Sequence, residues 1–106
     1  MSADTVHLTR QFFAAARALA LHRGTVQERL ADAYADHLLA VSVHDLPDEL
    51  QAPFAELEQR MNAQADDQDV DPIASAASQL TDAEAESLIE RILVLYGRIA
   101  ASATHS

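Results

Sequence analysis

From Thr81 to Ala103 the chain carries two apolar seams side by side, where an amphipathic surface helix carries one. Ala85, Leu88, Ile92, Leu95 and Ile99 recur at helical steps, and Ile89, Leu93, Tyr96 and Ala100 repeat the pattern one position along, with Val94 widening it. A helix apolar over this much of its girth has to pack on two sides. Either it lies at the centre of its own bundle, with both seams in the core, or it is held between its bundle and another chain. Sequence leaves both open. In the second case Ile89, Leu93, Tyr96 and Ala100 form the interface.

The rest of the chain is punctuated as helices. Leu8, Phe12, Ala15, Ala16 and Leu19 line one face of a first helix over about 4–23, and Gly24 follows where a left-handed C-terminal cap belongs. Thr25 and Glu28 have the spacing of a capping box, opening a second helix through Val26, Leu30, Ala33, Tyr34, His37, Leu38 and Val41. Pro47, with Asp48 and Glu49 behind it, suits a first helical turn. Pro53 then predicts a kink, and a regular helix from Pro53 to Asn62 with Phe54, Leu57 and Met61 buried. Residues 63–71 hold four aspartates within six positions and read as a flexible acidic loop. Asp71-Pro72 opens a short helix to about Gln79, and Thr81 with Glu84 forms a second capping box, stapled by Leu80 and Ala85. Gly97 marks either a close helix contact or the onset of fraying, and residues 104–106 read as a frayed tail.

Composition fits this pattern. Alanine, the strongest helix former, occurs 22 times, against two glycines and three prolines. The predicted fold is a single all-α domain, a compact bundle of four main helices plus one short helix, with the C-terminal helix central. The formal net charge is −10, which opposes contact with nucleic acid or anionic lipid. It is unevenly spread. Residues 1–24 carry Arg10, Arg17 and Arg23 against Asp4, while the remainder is strongly acidic. Those three arginines make a candidate basic strip, either resting on the acidic body or offered to an acidic partner. No cysteine is present. Arg17 interrupts the apolar run from Phe12 to Leu21, and Asp4 and His7 stand where a leader would be basic, so a cytoplasmic protein without a membrane span is expected. The absence of lysine suggests a GC-rich bacterial genome.

Reactive constellations are weak. Asp67, Asp69 and Asp71 match the first ligands of a calcium loop, but Pro72 replaces the required glycine and Ser78 the closing glutamate. Glu-x-x-His pairs for a carboxylate metal site do not occur. His37, on the apolar face of the second helix, reads as a buried, hydrogen-bonded histidine. With no nucleophile motif and no glycine-rich loop, neither catalytic nor cofactor nor metal residues are assigned, and no enzyme activity is expected.

Residues 18–30, Ala18-Leu19-Ala20-Leu21-His22-Arg23-Gly24-Thr25-Val26-Gln27-Glu28-Arg29-Leu30, resemble the helix-turn-helix of sigma-type and two-component regulators. The alternative function is therefore a DNA-binding regulator using residues 18–40. Ala20 replaces the usual turn glycine, no helix precedes the pair, and Glu28, Asp32 and Asp36 would face phosphate. Over residues 25–97 the chain also resembles a family of small uncharacterised bacterial helical proteins. The likeness rests on Glu28-Arg29-Leu30, on Asp45-Leu46-Pro47 with Leu50, Phe54 and Leu57, and on Leu80 to Glu86 running to Leu95-Tyr96. It implies an all-α fold and no particular chemistry. The function expected is that of a small acidic, non-catalytic interaction protein (a regulator, adaptor or accessory subunit) that associates with itself or with a protein partner.

Overall fold

The computed structural model describes residues 2–62 and 72–105. Its elements are α1 (Ser2–Leu21), α2 (Val26–Ala33), a π-helical turn (Tyr34–Leu38), a 3-10 turn (Val43–Asp45), α3 (Asp48–Asn62), α4 (Pro72–Ser78) and α5 (Asp82–His105). Among the described residues there is no strand, and the fold is the expected small all-α bundle with α4 as the short helix. The acidic stretch 63–71, the Asp71 cap and the calcium-like aspartates lie outside the described residues.

The two capping boxes set the helix starts. Thr25 Oγ1 accepts the Glu28 N–H at 3.1 Å, and the Glu28 carboxylate accepts the Thr25 N–H at 2.8 Å. Thr81 and Glu84 repeat this at 3.1 and 2.9 Å. Each box satisfies two backbone donors that a helix start otherwise leaves unbonded.

The junction between α1 and α2 is not a left-handed glycine cap, because Gly24 has no positive φ. His22 closes the helix instead. Its N–H makes the last helical bond to the Ala18 carbonyl at 2.9 Å, and its Nδ1 accepts the Gly24 N–H at 2.8 Å. Gly24 is needed for room. A Cβ there would stand 2.5 Å from Glu28 Oε1 and 2.7 Å from His22 Cε1.

One further expectation is corrected. Pro53 does not divide its segment: α3 runs unbroken from Asp48 to Asn62 with the proline inside it. The missing N–H falls opposite Glu49 in the first turns, and the helix is held from outside, where Gln51 donates to the Leu46 carbonyl at 3.0 Å and Arg91 to the Pro53 carbonyl at 3.3 Å. At the other end of the chain α5 is longer than its apolar seams require. It continues through Thr104 and His105, over closing turns that contain Ala100, Ala101 and Ala103, good helix formers.

The core joins all the long helices. Leu8, Phe12, Ala15 and Leu19 of α1 meet Leu30, Ala33, Tyr34 and Leu38, then Phe54, Leu57 and Met61 of α3, and Ala85, Leu88, Ile92, Leu95 and Ile99 of α5. Phe12 and Phe54 meet edge to face, with ring centroids 5.9 Å apart. Gln27, at the start of α2, donates to the Leu80 carbonyl at 3.0 Å and to Asp82 at 2.8 Å. These bonds bring the start of α5 to the end of α1, so the two helices run antiparallel. α5 packs most extensively on α1 and also touches α2 and α3. Its first seam is therefore core.

Candidate functional site

The second seam of α5 is divided. Ile89, Tyr96 and Ala100 are half-buried, while Leu93 is 44% exposed and its neighbour Val94 51% exposed. Tyr96 leans on α1 through Phe13, with ring centroids 6.1 Å apart. Of the four seam residues, the structure thus places three against the molecule's own flank and leaves Leu93 in the open.

Phe13 is itself 53% exposed. Adjacent residues of a helix point about 100° apart, so Phe12 and Phe13 cannot both enter one core. With Phe12 inside, Phe13 belongs to an outward stripe: Val6, Arg10, Phe13, Arg17 and Leu21, all exposed, at helical steps along α1. Val6 is 49% and Leu21 62% exposed. The stripe alternates apolar and cationic side chains. Of the three candidate arginines, Arg10 and Arg17 share it, whereas Arg23 lies past the end of the helix.

On α5 the exposed line shares Leu93 with the second seam: Glu86, Glu90, Leu93, Gly97 and Ala101. It has the same succession of steps as the α1 stripe and the opposite charge. Gly97 makes no close helix contact, since a Cβ there would meet nothing within 4 Å. Phe13 and Tyr96 join the two stripes into one face.

A groove of about 690 Å³ runs along the other flank of α1, between it and α2 with the π turn. Phe13 and Leu21 form its apolar wall, and Arg17, His22, Asp36 and His37 its polar side. His37 is half-buried there rather than enclosed in the core. The π turn, closed by the Leu39 N–H on the Tyr34 carbonyl at 2.8 Å, keeps Tyr34 and Leu38 buried and leaves His37 at the edge. His22 spends both ring nitrogens on structure, Nδ1 on Gly24 and Nε2 on the Asp32 carboxylate. No serine, threonine, tyrosine or cysteine lines this groove.

Two further ionic contacts tie helices together. Arg60 meets Glu84 at 3.3 Å, and Arg91 meets Glu56 at 3.1 Å, both at the surface where such pairs are weak. Among the described residues no cluster of three or more potential metal ligands occurs. Among them, too, no helix is long and apolar enough to cross a membrane.

Reading α1 for its buried periodicity misses the outward stripe. The available signal was the Phe12-Phe13 pair, because one of two adjacent phenylalanines in a helix has to leave the core face. No known protein family matches the chain, and no curated protein or solved structure matches it either.

Proposed function

We propose that this is a non-catalytic interaction protein, a regulator, adaptor or accessory subunit, acting in the cytoplasm, and that the joined faces of α1 and α5 are its docking surface. The observation that carries this reading is Phe13, a large aromatic half in solvent on the same face as exposed Val6 and Leu93. Single exposed apolar residues are ordinary on protein surfaces, but here Phe13, set among Arg10 and Arg17, is joined through Tyr96 to the α5 flank that exposes Leu93, and apolar side chains rimmed by charge suit a contact surface.

DNA regulation through residues 18–40 is the weaker reading. The exposed positions of α2 and the following turn include Glu28, Asp32 and Asp36, and three carboxylates on a recognition element repel phosphate.

The test is a comparison of two tagged chains in cells of the natural source, where the untagged chain is also made. The docking reading predicts that the wild-type chain retains a stoichiometric protein, foreign or its own untagged copy, and that Phe13→Asp loses it while staying helical. Retention of the same proteins by both chains would contradict it. Binding to heparin and DNA at low salt would favour the DNA reading.

A further inference from the structure

We infer that the occupant of the α1–α5 face is a second copy of this chain, with α1 of each protomer lying antiparallel on α5 of the other. This inference rests on the docking reading above and names the partner.

Charge argues for it first. The body carries −10 overall, which opposes self-association at long range. The face does not share that excess. Its charges are Arg10 and Arg17 on α1 and Glu86 and Glu90 on α5, all exposed, and they cancel. The neutral, apolar part of an acidic molecule is where a second copy meets least repulsion. A foreign acidic helix would satisfy the α1 stripe and leave the α5 stripe unused. A twofold-related copy engages both and sets Arg17 of each protomer against Glu90 of the other, because an isologous interface uses each surface twice.

Shape agrees with charge. Laid antiparallel at a rise of about 1.5 Å per residue, with Arg17 of one copy level with Glu90 of the other, Phe13 falls beside Leu93 and Val6 at the level of Ala101. The most prominent side chain of one stripe thus meets the exposed leucine of the other. Each stripe is about 24 Å long. A stable interface buries at least about 1,000 Å² in total, and the twofold arrangement doubles the area that a single α1–α5 contact would bury.

Light scattering over a concentration series tests this with charge exchange. The wild-type chain is expected at twice its 11.5 kDa mass. Arg17→Glu sets a new carboxylate against Glu90, and Glu90→Arg sets a new guanidinium against Arg17. Each variant alone is therefore expected to dissociate at least about tenfold more readily, like charges across an interface being strongly unfavourable. An equimolar mixture is expected to recover the dimer, because the mixed pair restores opposite charges at both contacts. All these positions are exposed, and unchanged circular dichroism confirms folding. A wild-type chain monomeric into the millimolar range, variants that dimerise as well as wild type, or a mixture that stays monomeric would overturn the inference. A monomeric wild-type chain that still retains a foreign protein through Phe13 would overturn self-docking and leave the docking reading intact.

Discussion

Two glycines show how one residue type serves opposite ends. At Gly24 the lack of a Cβ gives space to the Glu28 carboxylate and the His22 ring, so Gly24→Ala displaces the first capping box and lowers the melting midpoint. At Gly97 there is no such demand, and φ is not positive. Gly97→Ala therefore gains helix propensity at no steric cost, about 0.5–1 kcal/mol. Urea denaturation of both variants in the Phe13→Asp background, where association does not interfere, checks the pair. A stabilising Gly24→Ala or a destabilising Gly97→Ala would contradict these assignments. The capping glutamates add a pH dependence. Glu28 and Glu84 are held below the ordinary glutamate value, chiefly because each accepts the backbone N–H of its own cap residue, Thr25 or Thr81. A depressed folded value means that the stabilisation is complete above the ordinary glutamate value and is lost as pH falls through the lower one. Glutamine keeps the acceptor without titrating. The Glu28→Gln, Glu84→Gln double variant should thus lose less stability than wild type between neutral and strongly acidic pH; parallel curves would contradict the cause given.

At the scale of the element, the helix starts were legible because capping chemistry is local: Thr25 with Glu28 and Thr81 with Glu84 are sequence patterns and structural facts alike. The buried stripe of α3 was legible from periodicity, and Phe54, Leu57 and Met61 are all fully enclosed. Leu57→Ala should therefore cost about 2–5 kcal/mol in chemical denaturation, and an unchanged curve would remove α3 from the core. The path through Pro53 was not legible. Local sterics favour a break at an internal proline, but tertiary bonds from Arg91 and the packing of Phe54 and Leu57 keep the helix continuous. The π turn was likewise hidden, since an extra residue per turn leaves Tyr34 and Leu38 in the apolar register and moves only His37 toward the edge. For α5 the two seams were evident, but which of them faced water depended on where α1 lies, a long-range fact that no local pattern contains.

At the scale of the molecule, what distinguishes this bundle is where its apolar surface remains. Leu88, Ile92, Leu95 and Ile99 are consumed by the core, while Leu93, Phe13 and Val6 stay outside, joined through the contact of Phe13 with Tyr96. The acidic charge that keeps copies apart elsewhere is balanced on this face by Arg10 and Arg17. Leu93→Asp, read by circular dichroism and sedimentation equilibrium on one sample, separates a contact surface on the outer line of α5 from unfilled core. A contact surface gives a chain with undiminished helical signal that sediments at its monomer mass of 11.5 kDa where wild type does not. Loss of the helical signal would place Leu93 in the core, and an intact helix with unchanged association would show that the face is not where this protein meets its partner.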